Sequence, residues 1–276
     1  VPAVAGDRVT VLDIALDRNR AALDRLLAAG VAVTWYDHHA PGPIPAHPRL
    51  ATHIDTDPET CTSILVDAHC RGRFRAWAVA AAYGDNLPRA AERLADALAL
   101  APAARAQLRM LGEAVNYNAY GDSEADVRIH PAALYRWLAH YADPFDAMAN
   151  ASIVRELDAL RRDDLRHARQ VPPWHRDDRC MAVVLPDAAW SRRVLGPFAN
   201  ELALRDPQRA HAALKRLPDG GYAVSVRAPC AAPRGAVELA REFGGGGRAA
   251  AAGIDRLPEE ELPRFIARLT AAWRAG

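Results

Sequence analysis

The chain has 276 residues, half of them apolar and a quarter charged, with a formal net charge of +1 and a sequence pI near 7.9. That length allows two domains, each with its own core. The near-neutral balance excludes the global basic field that would advertise duplex DNA, so any nucleic-acid contact has to be local. Positive charge is almost all arginine, with Lys215 the only lysine; arginine suits phosphate recognition. The four cysteines, Cys61, Cys70, Cys180 and Cys230, form no C-x-x-C pair and are scattered, which argues for reduced thiols in a cytoplasmic setting and against a zinc ribbon. No apolar run approaches the roughly 18 residues a bilayer span needs, and no basic-then-apolar leader opens the chain.

The first predicted element is Arg8 to Leu16, apolar and β-branched almost throughout, the pattern of a strand buried on both faces of a parallel sheet. Asp13 interrupts it. A lone carboxylate in such a run is costly to bury unless it is paired or bound to metal. A helix is predicted from Asp17, as N-cap, to Ala29, with Gly30 at C′. It leads to the strand Val31 to Tyr36, which ends in Asp37-His38-His39. An acid and two imidazoles at the carboxyl edge of a parallel strand stand where open α/β sheets place ligand chemistry, and they are residue types that hold divalent metals. The plain alternative is a solvated turn.

After the proline-rich loop 41–45, a short extended piece is predicted around His53-Ile54-Asp55. A helix is expected to start at Asp57-Pro58 and run through Val66. His47, His53 and His69 read as surface or satisfied core histidines. Phe74 to Tyr83 is apolar and stops at Gly84-Asp85-Asn86, where a glycine would let the backbone turn and Asp85 is either a cap or a third ligand. Residues 87–141 are helical by pattern, interrupted at 116–123. There Asn116 and Asn118 offer amides for hydrogen bonding or for a base, or simply form a turn. A charged helix spans Ser152 to Gln170, and Val171-Pro172-Pro173-Trp174 marks a domain boundary.

The second domain opens with the strand Met181 to Leu185 and a helix around Val194 to Leu204. Asp219-Gly220-Gly221 then turns into the strand Tyr222 to Arg227, whose alternation sends Ala223, Ser225 and Arg227 to one face. A helix from Gly235 to Phe243 is followed by four glycines, 244–247, and Arg248. The run fits neither the dinucleotide-fold nor the Walker layout. Its unhindered amides at Gly245, Gly246 and Gly247, with Arg227 and Arg248, point to phosphate binding, with a flexible linker as the alternative.

With both motifs described, the chain resembles the DHH phosphoesterases, the group that includes RecJ-like single-strand exonucleases, oligoribonucleotide-degrading nanoRNases and cyclic-dinucleotide phosphodiesterases. Asp37-His38-His39 resembles the naming motif, Val11-Leu12-Asp13 the preceding strand-borne aspartate, and Tyr83-Gly84-Asp85 the later one. The segment Gly245 to Gly253 resembles the G-G-G-H-x-x-A-A-G signature of the associated C-terminal domain, and Ser225-Val226-Arg227 its strand arginine. The resemblance implies an α/β fold: a parallel-sheet metal-binding domain over 1–150, a linker helix and loop over 151–174, and a smaller α/β substrate-binding domain over 175–276, with the active-site cleft between the domains. It implies Asp13, His38, Asp85 and Asp37 as ligands of two manganese ions, or magnesium in their place, and His39 as a phosphate contact. It implies hydrolysis of phosphodiester or phosphomonoester bonds of small nucleotides or short single-stranded oligonucleotides by a two-metal-activated water.

The sequence departs from the family pattern twice. Arg248 stands where the signature has histidine, which favours a more anionic phosphate. The family's first motif, an Asp-x-Asp type cluster on a strand before Asp13, has no counterpart, and the chain enters its first strand a few residues after Val1. Asp13 and Asp85 bring two negative charges against four positive for two ions, so an N-terminal segment supplying further carboxylates is expected. The alternative is a non-catalytic nucleotide-binding or regulatory module that has lost this motif. The residues give no handle on oligomeric state.

Overall fold

The computed structural model describes residues 2–150 and 152–273. It is an α/β protein that divides into two compact units, one of residues 1–116 and 135–154, the other of residues 117–134 and 155–276.

In the first unit, β1 (Arg8–Leu12), β2 (Ala32–Asp37) and β3 (Leu50–Ile54) form a parallel sheet in that order. Helix α1 (Arg20–Ala28) makes the first crossover and ends in a Schellman motif. Gly30, at φ +80°, donates to the Leu27 carbonyl and Val31 to the Leu26 carbonyl. Its start departs from expectation: Asp17 lies in a 3-10 turn (Asp17–Asn19) and caps nothing, and α1 follows Asn19. Leu16, Leu23, Leu26, Leu27, Val31, Val33 and Trp35 form the core beneath the sheet. The first strand is shorter and less buried than its composition suggests. It is an edge strand whose Val9 and Val11 pack on that core while Arg8, Thr10 and Leu12 face outward. An edge strand covered on one face alternates in burial, and an apolar residue such as Leu12 is tolerated on the outside. Helices α2 (Thr62–His69), α3 (Arg75–Gly84), α4 (Pro88–Ala97), α5 (Pro102–Tyr117), α6 (Pro131–Leu138) and α7 (Pro144–Asn150) follow. Asp57-Pro58 opens a turn instead of a helix, with the Asp57 carboxylate accepting from the Glu59 amide, so α2 begins four residues later than predicted.

Helix α8 (Ser152–Gln170) leads to the second sheet, built from β4 (His175–Arg176), β5 (Cys180–Leu185), β6 (Ala210–Arg216), β7 (Tyr222–Arg227), β8 (Gly246–Gly247) and β9 (Ala251–Leu257) in the order β4-β5-β6-β7-β9-β8. Only β5 and β6 are parallel, joined by α9 (Ala189–Arg205). Sequence reading missed β6, because Ala210-His211-Ala212-Ala213 lacks β-branched residues; all four are buried, on a central strand. Alternate residues serve two cores. Ala182, Ala212, Leu214 and Val224 pack with α10 (Ala236–Arg241) and α11 (Leu262–Ala272), while Val183, Leu185 and Ala213 pack with α8 and α9. Among the described residues no helix is long and apolar enough to cross a membrane.

Charge is also buried in this unit. Lys215 on β6 is 3% exposed and ion-paired with Asp122. Arg193 of α9 forks onto Asp164 of α8, with Nε 2.8 Å from Oδ2, and also donates to the Tyr117 hydroxyl at 2.7 Å. Tyr117 in turn donates to Asp164, and burial together with that carboxylate holds its phenol protonated well above the usual range. Arg193→Ala leaves Asp164 charged and buried. It should cost about 3–5 kcal/mol of unfolding free energy in denaturant titration.

Candidate functional site

The parallel register aligns the carboxyl ends of β1 and β2. Leu12 sits beside Tyr36, so the next residues, Asp13 and Asp37, leave the sheet at the same edge. Asp13 adopts a left-handed conformation, φ +60°, which aspartate tolerates better than most side chains. Its amide donates to the Tyr36 carbonyl, and the Trp35 indole donates to the Ile14 carbonyl, so the turn is held from both sides. Asp13 is not buried in a strand as predicted. Its side chain is 61% exposed, because β1 ends one residue earlier.

Asp37 is fully buried. Its Oδ1 accepts from the His38 amide at 2.8 Å and lies 2.7 Å from His39 Nδ1, which fixes the His39 ring. Its Oδ2 is buried with no hydrogen-bond partner among the described residues. His38 Nδ1 is 2.9 Å from the Thr60 carbonyl, which can only accept, so that nitrogen carries the proton. In the neutral ring Nε2 is then a lone pair, and it faces Asp13 Oδ1 at 3.5 Å. An imidazole nitrogen and a carboxylate oxygen, both ligand atoms, thus meet at the sheet edge. Asp13, His38 and His39 offer ligand atoms that all lie within 4.8 Å of one another.

Asp85, just past α3, brings Oδ2 to 3.8 Å from His38 Nδ1. The glycine before it serves close approach instead of a sharp turn. Gly84 is the last residue of α3, and a Cβ there would meet the Gly112 carbonyl of α5 at 2.8 Å; one on Gly112 would meet the Ala80 carbonyl at 1.8 Å. Helices α3 and α5 thus touch backbone to backbone, which places Asp85 and leaves Asn116 of α5 against Gly84. Asn118 is 1% exposed, and its amide bonds the Ile129 backbone in both directions, pinning a loop of the second unit. His53 stacks on Tyr36 at 4.5 Å and His69 Nδ1 lies 3.0 Å from the Tyr36 hydroxyl, so both pack beneath the strand end.

Sequence reading missed Thr60 and Thr62. The Thr62 hydroxyl donates to Asp13 Oδ1 at 2.7 Å, and Thr60 sets the His38 tautomer. Starting α2 at Asp57 hid them inside a helix, whereas Thr62 is its first residue, at the sheet's carboxyl edge. Between them the buried Cys61 thiol is held above its usual range by burial, with Asp85 and Asp13 adding to the effect.

In the second unit Arg227 donates to Asn200 Oδ1 at 2.6 Å, to Ser225 Oγ at 2.9 Å and to the Val226 carbonyl. Among the described residues it has no carboxylate partner, and burial lowers its proton affinity below the usual arginine value. The glycine run is not an open loop. Gly246 and Gly247 form β8, which pairs with Gly253 and Ala252 of β9. A Cβ at Gly245 would meet the Gly253 carbonyl at 2.2 Å, and one at Gly247 the Ala252 Cα at 2.5 Å, so these glycines are required by the hairpin's packing. The position of Gly246 opens onto space, and Arg248 stands exposed at the turn.

No protein-family model and no curated protein matches the sequence. Solved structures do match. RecJ from Thermus thermophilus, solved with Mn2+, is 25% identical with a TM-score of 0.54; the match covers 98% of this chain and 45% of that one. The pGpG-specific phosphodiesterase PggH from Vibrio cholerae (13%, TM-score 0.53) is covered over 98% of both chains. An exopolyphosphatase-related protein from Bacteroides fragilis (15%, TM-score 0.51) is covered over 97% of this chain and 72% of its own.

Gly112→Ala tests the helix contact that positions Asp85: overpacking a backbone crossing should lower stability by about 1–3 kcal/mol, read as a depressed thermal midpoint. Over nearly its whole length, the chain has the fold of the DHH phosphoesterases.

Proposed function

We propose that the protein is a divalent-metal-dependent phosphoesterase acting on small nucleotides or short single-stranded oligonucleotides in the cytoplasm. The observation that carries this reading is the clustering of ligand atoms from Asp13, His38 and His39 within 4.8 Å of one another, with His38 Nε2 and Asp13 Oδ1 3.5 Å apart. The orphaned Asp37 Oδ2 fits the same interpretation, since a buried carboxylate oxygen without a donor is stabilised by a cation. Carboxylate and imidazole suit manganese or magnesium less discriminately than thiolate would, and Asp13, His38, Asp37 and Asp85 are the residues that would hold the ions. Three carboxylates give −3 against +4 for two ions, a deficit that an anionic phosphate ester makes up.

When bound, such ions lower the pKa of a water and neutralise charge on the phosphoryl oxygens. The protein's own part is positional. Thr62 orients Asp13 and Thr60 fixes the His38 tautomer. Asp37 holds Nδ1 of the half-exposed His39 and so orients the ring, whose Nε2 would donate to a phosphate oxygen only as the doubly protonated imidazolium. Arg227, held by Asn200 and Ser225, would supply a charged donor without a competing carboxylate, and the exposed Arg248, near the uncrowded Gly246, would supply a second phosphate contact. Asn116, whose Cβ packs against Gly84, would be available for a substrate hydrogen bond.

The test is hydrolysis by the full-length protein with added Mn2+, on short single-stranded oligonucleotides, a linear dinucleotide and inorganic polyphosphate. Asp13→Ala should reduce kcat by more than about 100-fold, since losing even an outer-shell partner commonly costs 10–100-fold. Unchanged turnover would overturn the reading, and metal binding without hydrolysis of any substrate would assign a non-catalytic binding module. Thr62→Val should weaken Mn2+ affinity by about 10–100-fold and be rescued by raised metal. Arg227→Met should raise KM by about 10–100-fold, the loss of one charge-assisted hydrogen bond, with kcat less affected.

A further inference from the structure

A second group of ligand-type side chains lies in the second unit and shares no residue with the first site. His175 on β4, Asp177 in the β4–β5 turn and Cys180 at the start of β5 offer donor atoms all within 4.8 Å of one another. His175 Nε2 is 3.1 Å and Cys180 Sγ 3.6 Å from Asp177 Oδ2. Thr270 of α11 closes the group: its Oγ1 lies 3.1 Å from Asp177 Oδ2, 3.3 Å from Cys180 Sγ and 3.4 Å from His175 Nε2. Five of the six edges joining these four atoms are therefore between 3.1 and 3.6 Å. A regular tetrahedron with such edges has its centre about 1.9–2.2 Å from each corner, which brackets the bond length of tetrahedral zinc to nitrogen and oxygen and approaches that for sulfur.

Asp177 Oδ1 accepts from the Arg179 and Cys180 amides, both at 2.8 Å, which fixes the carboxylate and leaves Oδ2 directed at His175, Thr270 and Cys180. A cation at the centre of the four would be faced by carboxylate, imidazole, thiolate and hydroxyl through lone pairs.

We propose that His175, Asp177 and Cys180, with Thr270 at the fourth corner, form a mononuclear zinc site that ties the β4–β5 turn to α11. One carboxylate and one thiolate balance Zn2+, with imidazole and hydroxyl neutral. Cys180 is fully buried, while His175 and Asp177 are about a third exposed, so the ion enters from the turn side. The thiolate makes the site softer than the all-oxygen-and-nitrogen group around Asp13, so the two should differ in metal preference.

The full-length protein is stripped with chelator and titrated with Zn2+ and, separately, with Co2+. The expected result is one zinc per chain that survives dialysis, a rise in thermal midpoint on zinc addition, and a near-ultraviolet thiolate-to-cobalt charge-transfer band with tetrahedral cobalt absorption. Cys180→Ser and His175→Gln should each lose the retained zinc, and Cys180→Ser the charge-transfer band. Asp13→Ala and Cys61→Ser should keep both, which separates this site from the proposed catalytic one. His175→Gln alters a partly exposed ring and serves if Cys180→Ser fails to fold. Absence of the charge-transfer band in the parent protein, or zinc retention unchanged in His175→Gln, would overturn the proposal.

Discussion

The parallel pairing of β1 with β2 is the constraint on which the candidate site depends. Because Leu12 and Tyr36 are partners in the ladder, the chain emerges from both strands with an acid at the same height, Asp13 on one and Asp37 on the other. Every other group at the site responds to that placement. Thr62, at the first turn of α2, offers its hydroxyl to Asp13, and the Thr60 carbonyl turns the His38 ring so that Nε2 faces the carboxylate. A slip of one residue would send Asp13 to the opposite face and dissolve the group, since side chains alternate along a strand.

The second unit solves a different electrostatic problem. Its sheet and the helices packed on it carry several charges and pair most of them: Lys215 with Asp122, Arg193 with Asp164, Arg192 with Asp126. Arg227 differs in having neutral partners, an amide and a hydroxyl. A guanidinium kept largely out of water and supplied only with dipoles retains most of its field for an incoming anion. In the hairpin of β8 and β9 next to it, steric room demands glycine at Gly245 and Gly247, whereas the space beside Gly246 is open.

Much of this was legible in the sequence. The carboxyl-edge position of Asp37-His38-His39, the C′ role of Gly30 and the charged helix from Ser152 to Gln170 follow from period, punctuation and residue type, and all are local properties. What was not legible depends on distant neighbours. Asp13 looked buried because β1 is apolar, but burial depends on what covers the strand, and one face of β1 is uncovered. Gly84 looked like a turn glycine, but its reason is the carbonyl of Gly112, 28 residues on. Strand β6 was invisible because a central strand flanked on both sides can be built from alanine. Thr62 was hidden by a helix start misplaced at a proline that in fact opens a turn.

Lys215 has one further consequence. It carries the only side-chain primary amine in 276 residues, and it is buried on a central strand in an ion pair. Amine-directed acylation, cross-linking or reductive methylation therefore finds no accessible lysine on the folded molecule. Reaction at this one side chain becomes a built-in clock for opening of the second unit, because the amine is released only when β6 leaves the sheet.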